Sequence, residues 1–398
     1  MSALRHRNYR LFFAGQGISL VGTWLTRFAM GYETFHISGS AFELGLVAFF
    51  SQAPTAFIAP VAGVLVDRWD RHRTLILTQV LAMLQSAALA AFALTDTMTV
   101  FHLMWLGAVQ AVINAFDMPA RQSFVRQMVD DRADLPNAIA LNSALVNVAR
   151  LIGPVVAAAL VALVGVGWCF GLDAISYVAV ILSLVAMRVP KQSRTPRTGH
   201  IVEDMLAGFA YVKQVRLVGA LLLLLAVTCT FGGAFTSLLP AVTRQDAHAL
   251  GYLMAWTGAG ALVGTLYLVW RKDTHGFTSL AATCSTAMGI GLVTLELCPN
   301  IWIMGPVVFV TGSALIVQWA ATNTVVQTLV DEAMLGRVMS IYALVFFASA
   351  PVGALLEGAL AQAIGPIHTY AVAGALCLVC SIVFRARLRS VLPQRDAA

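Results

Sequence analysis

Charged residues are scarce in this 398-residue sequence and make up 11% of it, whereas soluble domains carry about 25%. Hydrophobic residues reach 59% of the chain. A soluble protein of this length needs far more polar surface than these residues can supply. The scarcity of charge therefore excludes a soluble globular protein and predicts an integral membrane protein.

Signals of catalysis and of nucleotide binding are also missing. The sequence contains no phosphate-binding P-loop motif and no Ser/His/Asp arrangement, and its eight histidines are dispersed. Among six scattered cysteines, Cys377 and Cys380 lie one helical turn apart in an apolar segment without a nearby histidine. Apolar packing explains this pair better than zinc does. We expect no cofactor, no metal site and no enzymatic activity, and nothing in the sequence indicates ATP as the energy source.

Long apolar segments, by contrast, fill most of the chain. A helix needs about 20 apolar residues to cross a bilayer. Twelve segments meet this length, and we predict an all-α integral membrane protein with twelve transmembrane helices. We number these spans 1 to 12, at residues 9–36, 42–66, 74–94, 100–122, 137–164, 168–188, 217–242, 250–270, 277–297, 300–328, 337–363 and 368–386.

The basic residues lie at alternate ends of these spans. If both termini are cytoplasmic, every lysine and arginine lies in an inner segment except Arg27, Arg150 and Arg244. Cytoplasmic loops of membrane proteins carry such an excess of Lys and Arg. The net charge of +6 therefore indicates topology and not nucleic acid binding. We predict a multi-pass protein of the bacterial inner membrane with both termini in the cytoplasm.

A polar stretch at 190–200, rich in basic residues, Pro, Ser and Thr, separates span 6 from span 7. Its composition is typical of a flexible linker, and the apolar spacing over 201–216 predicts an interfacial helix. The two flanking halves repeat, since 152–160 aligns with 352–360 at a shift of 200 residues. We predict an N-terminal six-helix bundle at 1–189, a cytoplasmic linker with an amphipathic helix at 190–216, and a C-terminal six-helix bundle at 217–398.

The loop between spans 2 and 3 reads Gly63-Val-Leu-Val-Asp67-Arg68-Trp-Asp70-Arg71-His72-Arg73. It resembles the signature loop of the major facilitator superfamily (MFS), G-x-L-x-D-R-x-G-R-K/R, with Asp70 in place of the second glycine. Most of residues 7–190 resemble the drug/siderophore exporter branch of that superfamily, which includes enterobactin exporters and macrolide efflux proteins. This second resemblance is carried by Gly22-Thr-Trp24, Ser38-Gly-Ser-Ala41, Pro54, Pro119-Ala-Arg121 and Ala149-Arg-Leu-Ile-Gly153-Pro154.

The resemblance implies the MFS fold, in which two pseudo-symmetric six-helix bundles alternate access to a substrate site. It also implies a cytoplasmic gate, with Asp67 at the start of span 11 and Arg71 paired with Asp117 near the inner end of span 4. The alternative is that these charges only set topology. The residues of this predicted gate are Gly63, Asp67, Arg68, Arg71, Asp117 and Arg121.

Arg27 in span 1 and Arg150 in span 5 are the two intramembrane cations. A charge at this depth costs about 3 kcal/mol or more unless it is paired or hydrated. By helical rise both lie roughly 20 Å from the inner surface. Our hypothesis is that they attract an anionic or catecholate-like cargo, with Glu33 as counter-ion and proton carrier. The alternative is a structural ion pair of one arginine with Glu33.

Other candidate residues follow helical spacing. Trp24, Phe28 and Tyr32 on span 1 would either stack a flat cargo or pack the helix. The polar residues Gln110 and Asn114 on span 4 and Asn147 on span 5 would either line a cavity or form hydrogen bonds between helices.

Span 5 and three further acids complete the candidates. Gly153 and Pro154 resemble the span 5 motif of exporters, although Ala157 and Ala158 stand where that motif has glycines. Glu296 and Glu357 lie near outer span ends that water can reach, and Asp173 lies at the start of span 6. For these three acids we expect interface or gate roles and not proton coupling.

The predicted function is secondary active export of a small amphipathic molecule, either a siderophore or a drug. We expect proton-coupled antiport by a monomer in the lipid membrane, with a small-molecule substrate and without nucleic acid. One alternative is a lipid or lysolipid flippase of the same fold. Another is a membrane-embedded enzyme, against which the dispersed histidines argue.

Overall fold

The computed structural model describes residues 2–129, 131–187, 201–271 and 276–391. Over these ranges eleven helices are long and apolar enough to cross a membrane. The twelfth is Arg7–Ser38, with 32 residues. It is less apolar because Gln16, Arg27 and Glu33 interrupt it, but at 1.5 Å per residue it is longer than the roughly 30 Å hydrocarbon layer. The prediction of an all-helical membrane protein with twelve spans is confirmed.

Most spans are longer than the apolar pattern indicated, because their ends continue beyond the hydrocarbon-length core. A separate helix, Ile201–Gln214, precedes span 7. The twelve spans are Arg7–Ser38, Ala41–Phe50 with Ala53–Arg68, Arg71–Leu94, Val100–Met128, Leu135–Val164, Val166–Val185, Arg216–Val227 with Leu239–Val242, Ala247–Trp270, Phe277–Glu296, Ile301–Leu329, Glu332–Ile364 and Pro366–Val391.

Spans 2 and 7 are not continuous α-helices, which the apolar pattern did not predict. Span 2 breaks at Ser51 and Gln52, just before Pro54, whose nitrogen cannot donate a helical hydrogen bond. In span 7 a π-helical turn, Thr228–Gly232, is followed by a 3₁₀ turn, Ala234–Leu238. The paired glycines Gly232 and Gly233 tolerate this change of helical pitch. Such short irregular turns often occur where a helix can rearrange.

Side chains and glycines in the short loops define where several spans begin and end. Asp70, Thr99 and Asn300 each accept a hydrogen bond from the backbone N–H three residues later, which satisfies a free donor of the following helix. Spans 5 and 11 end at Gly165 and Gly365, which have φ of 89° and 92°. Glycine adopts positive φ without strain. These two glycines are 200 residues apart, so the internal repeat extends to the turn geometry.

The chain separates into two compact units, Met1–Arg197 with Thr243–Ala255, and Thr198–Val242 with Trp256–Ala398. In the first unit, span 1 packs against spans 5 and 6, and span 3 packs against spans 4 and 6. In the second, span 7 packs against spans 11 and 12, and span 9 packs against spans 10 and 12. The same packing order in both units agrees with the repeat in the sequence. The linker residues 188–200 lie outside the described ranges, and the exact domain bounds stay a prediction.

Residues 2–7 at the N-terminus form hydrogen bonds with residues around the start of span 5. His6 Nε2 lies 2.9 Å from Asp134 Oδ2, and the backbone N–H of Ala3 donates to Asn137 Oδ1 over 3.2 Å. One turn into span 1, the Tyr9 hydroxyl donates to the carbonyl of Ala138 at 2.7 Å. Hydrogen bonds from Ser2 and from His6 lower the pKa of the Asp134 carboxyl. The ionised carboxylate is therefore the form that holds this segment.

Because the pKa of Asp134 is lowered in the folded state, its contribution to stability is present at neutral pH and is lost as the pH falls through that lowered pKa. We expect Asp134→Asn, which removes the charge at neutral pH, to loosen residues 2–7. The measurement is the rate of tryptic cleavage after Arg5 and Arg7, which should rise. Asp131→Asn is the matched control, since Asp131 Oδ1 accepts a hydrogen bond from the Ala133 N–H of its own turn. Equal cleavage of both variants would contradict the assignment.

Candidate functional site

Three residues predicted to meet the cargo, Trp24, Arg27 and Arg150, lie together in the first unit. The guanidinium carbon of Arg27 is 5.1 Å from the centre of the Trp24 indole, and that of Arg150 is 5.7 Å from the same ring. The face of an indole ring attracts cations. Span 1 and span 5 thus place two positive charges on one aromatic side chain.

Close packing of spans 1 and 5 positions this cluster. Gly153 lies directly against Trp24, and a Cβ at Gly153 would overlap the Trp24 Cβ and lie 3.1 Å from its Cγ. Three residues before it on the same helix, Arg150 reaches the ring. The exporter-like motif residue Gly153 therefore acts in this structure by bringing span 5 close to the tryptophan.

Neither arginine has an anionic partner among the described side chains. The ion pairs of His6, His36, Arg121 and His368 involve other acids, and the buried Nε of Arg150 has no hydrogen-bond partner among the described atoms. The Arg27 side chain is exposed. Two cations that share a ring repel each other, and the partial burial of Arg150 makes its charge more costly. The cluster, defined as Trp24, Arg27 and Arg150, therefore has unused capacity for an anion.

Glu33 does not serve as the counter-ion of this cluster. Its Oε2 lies 3.7 Å from His36 Nδ1 instead. Six residues of helix separate it from Arg27, which is about 1.7 turns and turns the two side chains to different faces. The predicted pairing of Glu33 with Arg27 or Arg150 is corrected accordingly.

The aromatic stripe on span 1 divides between two roles. Phe28 is 1% exposed and belongs to the core. It stacks on Tyr32, with ring centres 6.3 Å apart, and Tyr32 stacks on His36 at 6.0 Å. Of the predicted stripe, Trp24 and Tyr32 remain half-buried and able to meet a ligand, whereas Phe28 packs the helix.

The polar stripes of spans 4 and 5 form hydrogen bonds within their own helices. Gln110 Nε2 donates to Asn114 Oδ1 at 3.1 Å, and Asn147 Nδ2 donates to the carbonyl of Ser143 at 3.0 Å. These bonds satisfy amides that lipid could not. Gln110 Oε1 is buried without a hydrogen-bond partner among the described atoms. A role of these amides in cargo binding stays a prediction.

Asp117 is the centre of a polar cluster between spans 3 and 4. Its Oδ1 accepts hydrogen bonds from Thr78 Oγ1 at 2.9 Å and from Gln79 Nε2 at 2.7 Å. Its Oδ2 pairs with Arg121 one turn later on the same helix. Arg121 is a cation that Asp117 contacts, while the predicted pairing of Asp117 with Arg71 stays a prediction. The two predicted gate residues Asp117 and Arg121 are brought together, and their charges neutralise each other.

The structure gives a role to Asp70, the residue at which the signature loop departs from the superfamily pattern. Asp70, at the position of the second glycine, caps span 3 by accepting from the Arg73 N–H at 3.0 Å. His72 Nε2 lies 2.8 Å from the carbonyl of Leu184 and connects the loop to span 6. Arg68 is exposed, and no described atom lies within 4 Å of a Cβ built on Gly63. The side chain of Asp67 lies outside the described residues, so its predicted contact with span 11 stays a prediction.

A glycine on span 8 packs against the part of span 5 where the exporter motif would have glycines. A Cβ on Gly251, in the first turns of span 8, would lie 2.5 Å from the Ala158 Cβ and 3.2 Å from the carbonyl oxygen of Pro154. Both segments belong to the first compact unit. The close approach that the motif glycines would allow on span 5 is achieved here by a glycine on the opposing helix.

Asp173 lies inside the first unit, although its place near the start of span 6 suggested a water-accessible end. It is 1% exposed. Its Oδ2 accepts from Thr26 Oγ1 at 2.6 Å and from Ser86 Oγ at 2.8 Å, which joins spans 1, 3 and 6. Gly22 leaves room for this carboxyl, since a Cβ there would lie 2.5 Å from Oδ1. Span 6 begins two residues earlier than predicted, and this places Asp173 deeper.

Glu357 is likewise buried, at 2% exposure, and not accessible to water as the sequence suggested. Glu296 does lie at the surface, where its Oε1 is 2.8 Å from His368 Nδ1. Sequence position alone did not separate these two acids, because both are a few residues from the end of a span. The signal available in the sequence was the repeat, which aligns Glu357 with the apolar Ala157.

Solved structures with this fold are transporters. The nucleoside transporter NupG has a TM-score of 0.72 at 14% identity, covering 97% of this chain and 99% of that chain. A bacterial homologue of the iron transporter ferroportin, in its inward-facing state, has a TM-score of 0.73 at 16% identity, covering 96% of this chain and 98% of that chain. At such identities the likeness establishes the fold alone. The fold is that of the major facilitator superfamily, as the signature loop predicted.

Within that superfamily, the chain belongs to the transmembrane secretion effector family, MFS_3, whose model matches residues 1–398. The staphyloferrin A transporter of Staphylococcus aureus (strain NCTC 8325 / PS 47) is 24% identical over 387 residues, 94% of this chain and 95% of that protein. The enterobactin exporter EntS of Escherichia coli (strain SMS-3-5 / SECEC) is 26% identical over 407 aligned residues, 99% of this chain and 96% of that protein. The chain is a membrane transporter of small molecules and not an enzyme.

Proposed function

We propose that this protein is a secondary active exporter of an anionic siderophore across the bacterial inner membrane. The observation that carries the proposal is the cluster of Arg27 and Arg150 on the Trp24 ring, without an anionic partner among the described residues. A flat anion, such as a catecholate or a carboxylate with an aromatic group, supplies both the negative charge and the ring surface that this cluster lacks.

The relatives support the same class of cargo. One is named for export of enterobactin and the other for transport of staphyloferrin A. A neutral drug would gain little from two adjacent guanidinium groups, since it would not relieve the repulsion between them. This difference favours the siderophore over the drug and over a flippase substrate for this chain.

The direction and the driving force complete the proposal. The basic loops set both termini in the cytoplasm, so cargo enters from the cytoplasmic side and leaves outside by alternating access. Protons that enter the cell drive the antiport. The Asp117–Arg121 pair, together with Asp67, Arg68 and Arg71 of the signature loop, forms the cytoplasmic gate. The protein acts as a monomer in the lipid membrane.

The test uses the full chain in proteoliposomes with an imposed pH gradient. Enterobactin and staphyloferrin A are supplied as cargo, and a neutral macrolide and a fluorescent lysolipid are compared in parallel. We expect gradient-dependent accumulation of a siderophore and none in protein-free liposomes. Movement of the lysolipid without movement of either siderophore would replace the proposal with the flippase alternative.

A further inference from the structure

Glu357 in span 11 is a buried carboxyl group without polar contacts. It is 2% exposed, and neither Oε1 nor Oε2 has a hydrogen-bond partner among the described atoms. A buried ionised carboxylate without a partner is strongly disfavoured, whereas a neutral carboxylic acid is tolerated. The environment therefore favours the form of Glu357 that carries a proton.

The groups around Glu357 offer no compensating charge. Tyr370 and Cys377 of span 12 are the titratable groups within its electrostatic reach, and Cys229 is the titratable group on the irregular part of span 7. The Tyr370 hydroxyl is engaged, since it donates to the carbonyl of Phe235 at 2.8 Å. His368, at the beginning of span 12, lies at the surface with Glu296. No cation is available to Glu357 in the described chain.

Asp173, the other deeply buried acid, provides the internal contrast. Its Oδ1 has no partner among the described atoms, but two hydroxyl groups, from Thr26 and Ser86, donate to its Oδ2, and these bonds connect three spans. Such donors stabilise a carboxylate and give it a structural role. Glu357 has no corresponding donor, so its carboxyl group is not explained by a hydrogen-bond network.

The internal repeat shows that packing does not require an acid at this position. Residue 157 is the equivalent in the first unit, and there a fully buried alanine occupies the site. Its neighbour on span 6 is the apolar-packed Cys169, whose Sγ approaches the Ala157 carbonyl at 3.9 Å. The second unit has the same helix order, but with a carboxyl group at the matching position.

Glu357 also faces the part of span 7 that is not an α-helix. One turn before it, Gly353 lies against the Thr230 backbone inside the π-helical turn. Phe235, in the 3₁₀ turn that follows, accepts the hydrogen bond of Tyr370. Irregular turns of this kind are places where helices rearrange, so a change in span 7 would alter the access of water to this carboxyl group.

We propose that Glu357 is a proton-carrying residue of the transport cycle, holding its proton in the conformation described here and releasing it when span 7 rearranges. In the release step the carboxylic O–H bond breaks, the proton passes to a water molecule to form hydronium, and the carboxylate remains hydrated. Rebinding reverses the step. This inference rests on the proton coupling in the proposed function.

The first test does not depend on any cargo. Infrared spectra of the full-length protein in lipid are compared at neutral pH for the wild type, Glu357→Gln and Glu296→Gln. We expect the carbonyl-stretch band of a protonated carboxylic acid in the wild type and in Glu296→Gln, with part of its intensity lost in Glu357→Gln. An unchanged band in Glu357→Gln would overturn the inference.

The second test separates this inference from the proposed function. In proteoliposomes, Glu357→Gln should lose enterobactin accumulation driven by an imposed pH gradient but retain exchange of enterobactin at equal concentrations. Glu357→Ala introduces the residue found at the equivalent position 157 of the first unit, and it should behave in the same way. It serves as a second variant in case Glu357→Gln does not fold. If the wild type itself shows no gradient-driven transport, the proposed function fails. If wild type and both variants respond equally to the gradient, only the role of Glu357 is refuted.

Discussion

Replacing Arg150 with Met is expected to reduce siderophore export to a small fraction of the wild-type rate while the protein still inserts into the membrane. Methionine retains the apolar stem of the arginine but removes the guanidinium group that lies on the Trp24 ring. A lost charge-assisted contact is worth about 2 kcal/mol, which corresponds to a transport rate about 30-fold lower at subsaturating cargo. The measurement is the initial rate of enterobactin uptake into proteoliposomes, normalised to the amount of inserted protein.

Two further variants make this result specific. Arg150→Lys keeps a positive charge but cannot form the planar contact of a guanidinium group, so we expect partial activity. Arg10→Met removes an exposed arginine from the beginning of the same helix that carries Arg27, and its transport should match the wild type. Wild-type rates in Arg150→Met would eliminate the Trp24, Arg27 and Arg150 cluster as the cargo site.

Gly353→Ala is expected to destabilise the second unit severely. A Cβ at this position would overlap the carbonyl group of Thr230, so spans 7 and 11 would have to separate. Forced overpacking of this kind typically costs about 1–3 kcal/mol, and backbone in contact with backbone places the cost at the upper end. The measurement is the thermal unfolding midpoint of the detergent-solubilised protein.

Gly336→Ala is the matched control on the same helix, because no described atom lies within 4 Å of a Cβ built there. Its unfolding midpoint should stay close to that of the wild type. Gly153→Ala, the repeat equivalent, should displace Trp24 and reduce transport as well as stability. A normal midpoint for Gly353→Ala would mean that spans 7 and 11 can separate without cost.

Much of the architecture was predictable from local sequence. Hydrophobic length identified the twelve spans, because a lipid bilayer demands about 20 apolar residues per helix. Intramembrane arginines are rare enough to stand out, and Arg27 and Arg150, which helical rise predicted to lie at a common depth, share one ring. Helical spacing also brought Asp117 and Arg121 together, since residues four apart are neighbours on a helix.

Partners between helices were less predictable. The sequence suggests Glu33 as the partner of the arginines because it is an acid on the same membrane span. Its side chain lies on a different face of span 1, however, where it pairs with His36. Asp70 was seen as a departure from a motif, whereas the fold uses it as a helix cap. The sequence signal for the break in span 7 is the pair Gly232 and Gly233. This signal is weak, because glycines are common in membrane helices without any such break.

The amino-acid sequence by itself determined that this chain is a twelve-span membrane protein with an internal repeat, because bilayer thickness and the placement of basic loops act on each segment separately. Only the tertiary structure decided which charged groups find partners. Arg121 forms an ion pair with Asp117, and two hydroxyl groups donate hydrogen bonds to Asp173. Neither oxygen of Glu357 has a hydrogen-bond partner among the described atoms. The physical reason is that solvation of a side chain inside a helical bundle depends on which faces of neighbouring helices meet, and that depends on rotations and close approaches which no single segment encodes.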